Sequence, residues 1–260
     1  MILIPTNPAF HVVFDLLAWA VGTLVGWAFY RWRLKGAVTW TAATVGSGWF
    51  VAVALGAVTG AWLAGSMNTL QDAHPALSHS IAGALVGAIV GVEIYKRIRG
   101  IEGSTGAAFA GSFAAGVVIG RIGCLMAGLQ DRTFGKPTTL PWAVDLGDGV
   151  GRHPVQLYES GAMLLFLAAY VWGLTARAPW AMRRGFYVLC IVYGAQRFCW
   201  EFLKPYPTVA GPFNLFHGLS LALVLYGVIF YGRDLSRQGR DDRAAQGRAV
   251  PVLRPDDEPL

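Results

Sequence analysis

Charge is scarce in this chain: of 260 residues only 14% are Asp, Glu, Lys or Arg, while 55% are hydrophobic. So little charge excludes an ordinary soluble domain, and a mean hydropathy of +0.47 places the chain in a bilayer. Cysteine is sparse as well. Cys124, Cys190 and Cys199 are an odd number inside apolar stretches, so they are read as packing residues, with neither a disulfide framework nor a zinc site. The first basic residue is Arg31, after the first apolar stretch, so no cleaved leader is expected. Neither a His-Glu-x-x-His pattern nor a Gly-Lys-Ser/Thr phosphate loop occurs, and no metal or cofactor is called for.

What the chain has in quantity is apolar length. About seven stretches approach the roughly 20 residues that cross a bilayer: Phe10 to Tyr30, Thr41 to Leu63, Leu77 to Tyr95, Ala107 to Met126, Gln156 to Thr175, Gly185 to Leu203 and Pro212 to Tyr231. An all-α polytopic membrane protein is therefore expected. Basic residues follow the first, third, fifth and seventh stretches, in the groups Arg31 to Lys35, Lys96 to Arg99, Arg177 to Arg184 and Arg233 to Arg254. Loops rich in Lys and Arg are retained in the cytoplasm, so the N-terminus is expected outside and the C-terminus inside. The net charge of +6 is thus accounted for by topology, and no nucleic acid is expected. Gly22 and Gly26, Gly56 and Gly60, Gly83, Gly87 and Gly91, and Gly116 and Gly120 recur every four residues, a spacing that lets helix backbones approach closely. Residues 1–231 are expected to form one seven-helix domain and 232–260 a charged, disordered cytoplasmic tail.

Six basic residues break the retention pattern: Arg121, Arg132, Lys136, Arg152, Arg197 and Lys204 all fall in or beside outer halves of stretches. An arginine within a span costs about 2.5–3.5 kcal/mol, which asks for an anionic partner, although Arg121 could also snorkel to headgroups. Tyr193, Arg197 and Glu201 are spaced four and four and share a helical face. There Arg197 and Glu201 could simply neutralise each other, yet that pair leaves guanidinium donors over. Two arginines held by Glu159 and Glu201 would make a pocket for a phosphate diester, which in a bilayer means a phospholipid headgroup.

The densest polar stretch is Arg152-His153-Pro154-Val155-Gln156-Leu157-Tyr158-Glu159, at the outer mouth of the fifth segment. It follows a long loop from Ala127 to Gly151, expected to be an extracytoplasmic arm between helices four and five, with Trp142 to Asp145 extended. His79 opens the third segment and is either a base or an interfacial polar residue. His11, Phe14 and Asp15 open the first segment, where Asp15 is unexpected in an apolar helix. Glu93 is read as a surface pair with Arg97, and His217 as structural.

Three stretches together resemble the bacterial prolipoprotein diacylglyceryl transferases: Gly120-Arg121-Ile122-Gly123, the segment Arg152 to Glu159, and Tyr193-Gly194-x-x-Arg197-Phe198-x-x-Glu201-Phe202. The likeness covers all seven segments in order. It implies an inner-membrane enzyme that moves the diacylglyceryl group of phosphatidylglycerol to the lipobox cysteine of a prolipoprotein signal peptide, releasing glycerol phosphate. Under that resemblance Arg121 and Arg197 handle phosphate, Tyr193 and Glu201 are their partners, and Glu159, Gln156, Tyr158 and Arg152 bind substrate. The chain departs from the family in three places. Cys124 and Ala127-Gly128-Leu129 replace an Asn and an Asn-Gly-Glu, with Gln130 or Asp131 as substitutes; Ala82 stands where a His-Gly-Gly motif has its histidine; and Phe14 replaces a tyrosine. The base is then His153 or His79. A related transferase with another acceptor, and a non-catalytic lipid binder or transporter, remain alternatives.

Overall fold

A computed structural model of the chain describes residues 1–70 and 77–249. Helices dominate it: α1 (Ala9–Phe29), α2 (Lys35–Thr44), α3 (Ser47–Thr69), α4 (Ile81–Arg99), α5 (Phe109–Ala127), α6 (Val155–Thr175), α7 (Pro179–Glu201) and α8 (Leu215–Ala249). A single π-helical turn over Tyr30–Leu34 joins α1 to α2. Among the described residues, five segments are long and apolar enough to cross a membrane: Ala9–Thr44, Ser47–Thr69, Phe109–Asp131, Val155–Thr175 and Leu215–Asp241. The third and sixth expected spans correspond to α4 and α7, whose charged residues hold them below that measure. Charge enters α4 through Glu93, Lys96, Arg97 and Arg99, and α7 through Arg183, Arg184, Arg197 and Glu201.

The helices pack as antiparallel neighbours through small residues. A Cβ built on Gly60 would lie 2.3 Å from the Gly83 carbonyl oxygen, and one on Gly87 would lie 2.1 Å from that of Gly56, so α3 and α4 touch backbone to backbone. In the same way Gly22 of α1 meets Ser112 of α5, and Gly194 of α7 meets Ser220 of α8. Without a hydrophobic force between helices in lipid, close backbone approach is what holds such pairs. The core they enclose includes Met163, Phe166, Tyr170, Leu189, Tyr193 and Leu223.

Several boundaries differ from expectation for local reasons. Val45 is extended and Gly46 caps α3 with ψ near 180°, so the stretch expected from Thr41 to Leu63 breaks into α2 and a later α3. Helix α7 begins six residues early, at Pro179 in its first turn, because Arg184 is buried and belongs to the packed face. Its Nε lies 2.7 Å from Asp234 Oδ2, and it also donates to Gln238 Oε1. Those contacts continue α8 beyond Tyr231, so the stretch expected as disordered tail is helical from Gly232 to Ala249; residues 250–260 lie outside the described ones. Glu93 pairs with Lys96 at 2.8 Å rather than with Arg97, and accepts from the Tyr226 hydroxyl, tying α4 to α8.

Between α5 and α6 the arm folds as a small sheet. β2 (Val144–Asp145) pairs antiparallel with β3 (Gly151–Arg152), and β1 (Ile2–Leu3) adds to β2 in parallel. Asp145 Oδ1 accepts from the backbone N–H of Gly147, Asp148 and Gly149, closing the β2–β3 turn; Gly147 and Gly149 have φ of 101° and 78°, open to glycine at little cost. Arg152 holds both oxygens of Asp148 at 2.7 Å, and these hydrogen bonds keep the Asp148 carboxyl below its ordinary pKa.

Candidate active site

Five charged side chains meet beneath the arm. Arg121 comes from the penultimate turn of α5, Glu159 from the start of α6, Arg197 and Glu201 from the end of α7, and Lys204 from the turn that follows. Arg121 Nε lies 2.5 Å from Glu159 Oε2, and Arg197 Nη1 is 3.3 Å from the same oxygen. Arg197 Nη2 is 2.9 Å from Glu201 Oε1, and Lys204 Nζ bridges Glu159 Oε1 and Glu201 Oε1 at 2.5 and 3.1 Å. Arg121 is 6% exposed and the other four 3% or less.

Three cations against two carboxylates leave one positive charge uncompensated. Burying net charge costs several kcal/mol, so an anion joining this cluster would be stabilised by it. Free donors remain for it: Arg197 Nε and Gln156 Nε2 are buried without a hydrogen-bond partner among the described residues. The Tyr193 hydroxyl, on a fully buried side chain, faces Arg121. Glu201 is fixed from behind by Asn214 Nδ2 at 3.3 Å, and Asn214 Oδ1 lies 3.0 Å from His217 Nδ1. His217 itself sits among the rings of Phe198, Phe202 and Phe213.

A second polar group adjoins the first through Arg121, whose Nη1 lies 3.8 Å from Cys124 Sγ. Near Cys124 are Asp131 and His11; His11 Nε2 is 2.9 Å from Asp131 Oδ1 and His11 Nδ1 is 2.9 Å from Asp15 Oδ2. Thr133 donates to Asp131 Oδ2. His79 is exposed and stands 6.3 Å from His11 and 6.0 Å from Trp62, measured between ring centroids.

The structure thus gathers Arg121, Glu159, Tyr193, Arg197 and Glu201, with Gln156 one turn above Glu159 on the same face of α6. It places the rest of the polar stretch elsewhere. Arg152 belongs to the arm, and its guanidinium lies over Phe134. His153 faces Tyr158, whose ring packs on Trp200 and whose hydroxyl accepts from Trp142 Nε1 at 2.7 Å. From sequence, Lys204 stands out only as one of six basic residues off the retention pattern, Asn214 has no assigned role, and Cys124 is a packing residue. Lys204 carried a signal in its spacing, three residues after Glu201 on the Arg197 face, whereas Asn214 lies across a turn and carried none.

Fold and site define a helical membrane protein with a buried charged cluster in cationic excess. The prolipoprotein diacylglyceryl transferase family model matches residues 8–233, and the chain belongs to that family. It is 31% identical over 237 residues to a protein of Methylocella silvestris named phosphatidylglycerol–prolipoprotein diacylglyceryl transferase, covering 80% of this chain and 82% of that one. A Solidesulfovibrio magneticus protein of the same name is 30% identical over 276 residues, covering 91% and 99%. Another, from Bordetella parapertussis, is 31% identical over 160 residues, covering 58% and 60%. No solved structure matches the chain.

Proposed function

We propose that this protein transfers the diacylglyceryl group of phosphatidylglycerol to the cysteine thiol of a prolipoprotein, forming a thioether and releasing glycerol phosphate. The observation that carries this reading is the buried cluster of Arg121, Arg197 and Lys204 on Glu159 and Glu201, with its single uncompensated positive charge. A bound phosphate diester supplies the missing negative charge. As the carbon–oxygen bond breaks, the phosphate gains a second charge, and fixed cations in a dry site stabilise that gain more than water does. Gln156 and the Tyr193 hydroxyl orient the headgroup, and Tyr158 and Trp200 line the outer mouth with Arg152 and His153 beyond them. Family membership favours this activity over another acceptor or simple lipid binding.

Seven spans, with the N-terminus outside and the cytoplasmic end of α8 inside, fit the antiparallel pairing and the basic groups at alternate ends, and put the arm on the outer face of the bacterial inner membrane. Residues 1–231 form the catalytic domain in this reading. The acceptor is the lipobox cysteine of a signal peptide arriving from the lipid beside the arm. The test is release of glycerol phosphate from headgroup-labelled phosphatidylglycerol with a lipobox peptide, alongside complementation of a strain depleted of its own transferase. Wild-type release and growth, both lost in Arg197→Ala, are expected. An Arg121→Ala, Arg197→Ala double variant with full activity would overturn the reading.

A further inference from the structure

Polar atoms that the charged cluster does not use gather beside it on α7. Gln196 and Trp200 are four residues apart and share a face of the helix, next to the row of Tyr193, Arg197 and Glu201. Both ends of the Gln196 amide, Nε2 and Oε1, are buried without a hydrogen-bond partner among the described residues, and so is Trp200 Nε1. Helix α6 completes the group. It runs antiparallel to α7, with Gly173 against Ala181 and Tyr170 against Gly185. Carried toward the arm, that register sets Gln196 level with Glu159, and Trp200 level with the first turn of α6, which holds Gln156. The Tyr158 ring, 5.2 Å from that of Trp200, closes the same seam, and Gln156 Nε2 is a further unpaired donor there.

A buried donor or acceptor left unpaired gives up its hydration for nothing in return. Leucine would fill the place of Gln196 without that loss, so its amide is explained by a partner that arrives with the substrate. The chemistry of that partner follows from the set. Gln196 both donates and accepts, whereas Trp200 Nε1 and Gln156 Nε2 only donate. Hydroxyl groups satisfy such a set, because each of them also does both. The partner has to be free of positive charge, since Arg197 is next in the chain and the cluster already carries a cationic excess. An ammonium headgroup fails on both counts: it accepts no hydrogen bond and it adds a like charge. Peptide amides would pair equally well. They are disfavoured by depth, since Gln196 lies level with the Glu159 cluster, where the atoms joined directly to a bound phosphate fall.

We propose that Gln196 and Trp200, with Gln156, bind the two hydroxyls of the donor's glycerol headgroup and select it over phosphate diesters that lack them. The proposal rests on the transferase reading for the identity of that donor. The Gln196 amide accepts from one hydroxyl and donates to the other, and the Trp200 and Gln156 N–H groups take their remaining lone pairs. No bond is made or broken at these residues, so they set specificity and leave the chemistry to the charged cluster. A site that hydrogen-bonds a substrate hydroxyl rejects the analogue without it steeply, because its own polar groups then stay unpaired.

The experiment compares two donors with the same acyl chains, phosphatidylglycerol and phosphatidylpropanol, which keeps the phosphate diester and the three-carbon headgroup but has neither hydroxyl. Transfer to a lipobox peptide is read as its gain in mass, using the full chain in detergent. Wild-type protein is expected to favour phosphatidylglycerol by at least about 100-fold in kcat/KM. Gln196→Leu and Trp200→Phe are each expected to lower kcat/KM for phosphatidylglycerol about tenfold, mainly through KM, and to leave phosphatidylpropanol within about twofold. Gln196→Leu should also keep the wild-type melting temperature, since it removes an unpaired amide; Gln196→Met serves if it fails to fold. Variants that lose both donors alike would overturn the proposal, because a merely structural role predicts that result. Binding of short-chain forms of the two lipids is measured separately by calorimetry. Wild-type transfer from both donors alike sinks the subsite and leaves the function standing, whereas selective binding of phosphatidylglycerol without any transfer sinks the function and leaves the subsite.

Discussion

Glu159 is the side chain on which the charged cluster depends, since its two oxygens face Arg121, Arg197 and Lys204. Replacing it with glutamine leaves three buried cations against one carboxylate. Removing one partner of a buried ion pair costs about 3–5 kcal/mol. Glu159→Gln is therefore expected to lower the melting temperature in detergent as well as abolish transfer; an unchanged melting curve would contradict the pairing. Arg197→Ala removes a cation while two remain, so it is expected to stay folded and to slow glycerol phosphate release about 10²-fold or more, the cost of losing one fixed stabiliser of developing charge. His153, whose ring contact is with Tyr158, is a weaker candidate for the base than its density of polar neighbours implied. His153→Ala is expected to keep release within about tenfold of wild type, a margin below that typical of a lost general base.

At the level of elements, the α3–α4 pair shows how little room a membrane interface leaves. A methyl on Gly87 would fall 2.8 Å from Gly60 Cα as well as 2.1 Å from the Gly56 oxygen, and neither backbone can yield without separating the helices. Overpacking of this kind costs about 1–3 kcal/mol. Gly87→Ala should lower thermal stability in detergent, and Gly36→Ala, with nothing within 4 Å, should leave it unchanged. Packing between elements makes α7 and α8 longer than their apolar stretches. Arg184 resembles a loop arginine in sequence, yet its partners Asp234 and Gln238 lie 50 and 54 residues on, so only packing of α7 against α8 makes it helical. Arg184→Ala is expected to speed proteolysis beyond Gly232, measured by limited digestion; equal rates would mean that α8 holds without it.

For the molecule as a whole, orientation is the testable property. The arm carries Asp148 and the opposite end of the bundle carries Glu102, beside Arg237. In a Cys199→Ser background, Asp148→Cys is expected to react with a membrane-impermeant maleimide in intact spheroplasts, and Glu102→Cys only after permeabilisation. The reverse pattern would invert the topology proposed above.

The sequence by itself determined the helical membrane class, the glycine pairs and the identity of Arg121, Arg197, Glu159, Glu201 and Tyr193, because apolar length, four-residue spacing and the cost of charge in lipid are local properties. Its likeness to a transferase family rested on the same residues, and the match over residues 8–233 places the chain there. Only the tertiary structure decided that Lys204 completes the charge cluster, that His153 packs against Tyr158, and that His11 meets Cys124 and Asp131. Those three side chains come from α1, from α5 and from the 3-10 turn after α5, with more than a hundred residues between the first and the others. No spacing rule can see such a set, since it exists only where α1 packs antiparallel against the end of α5.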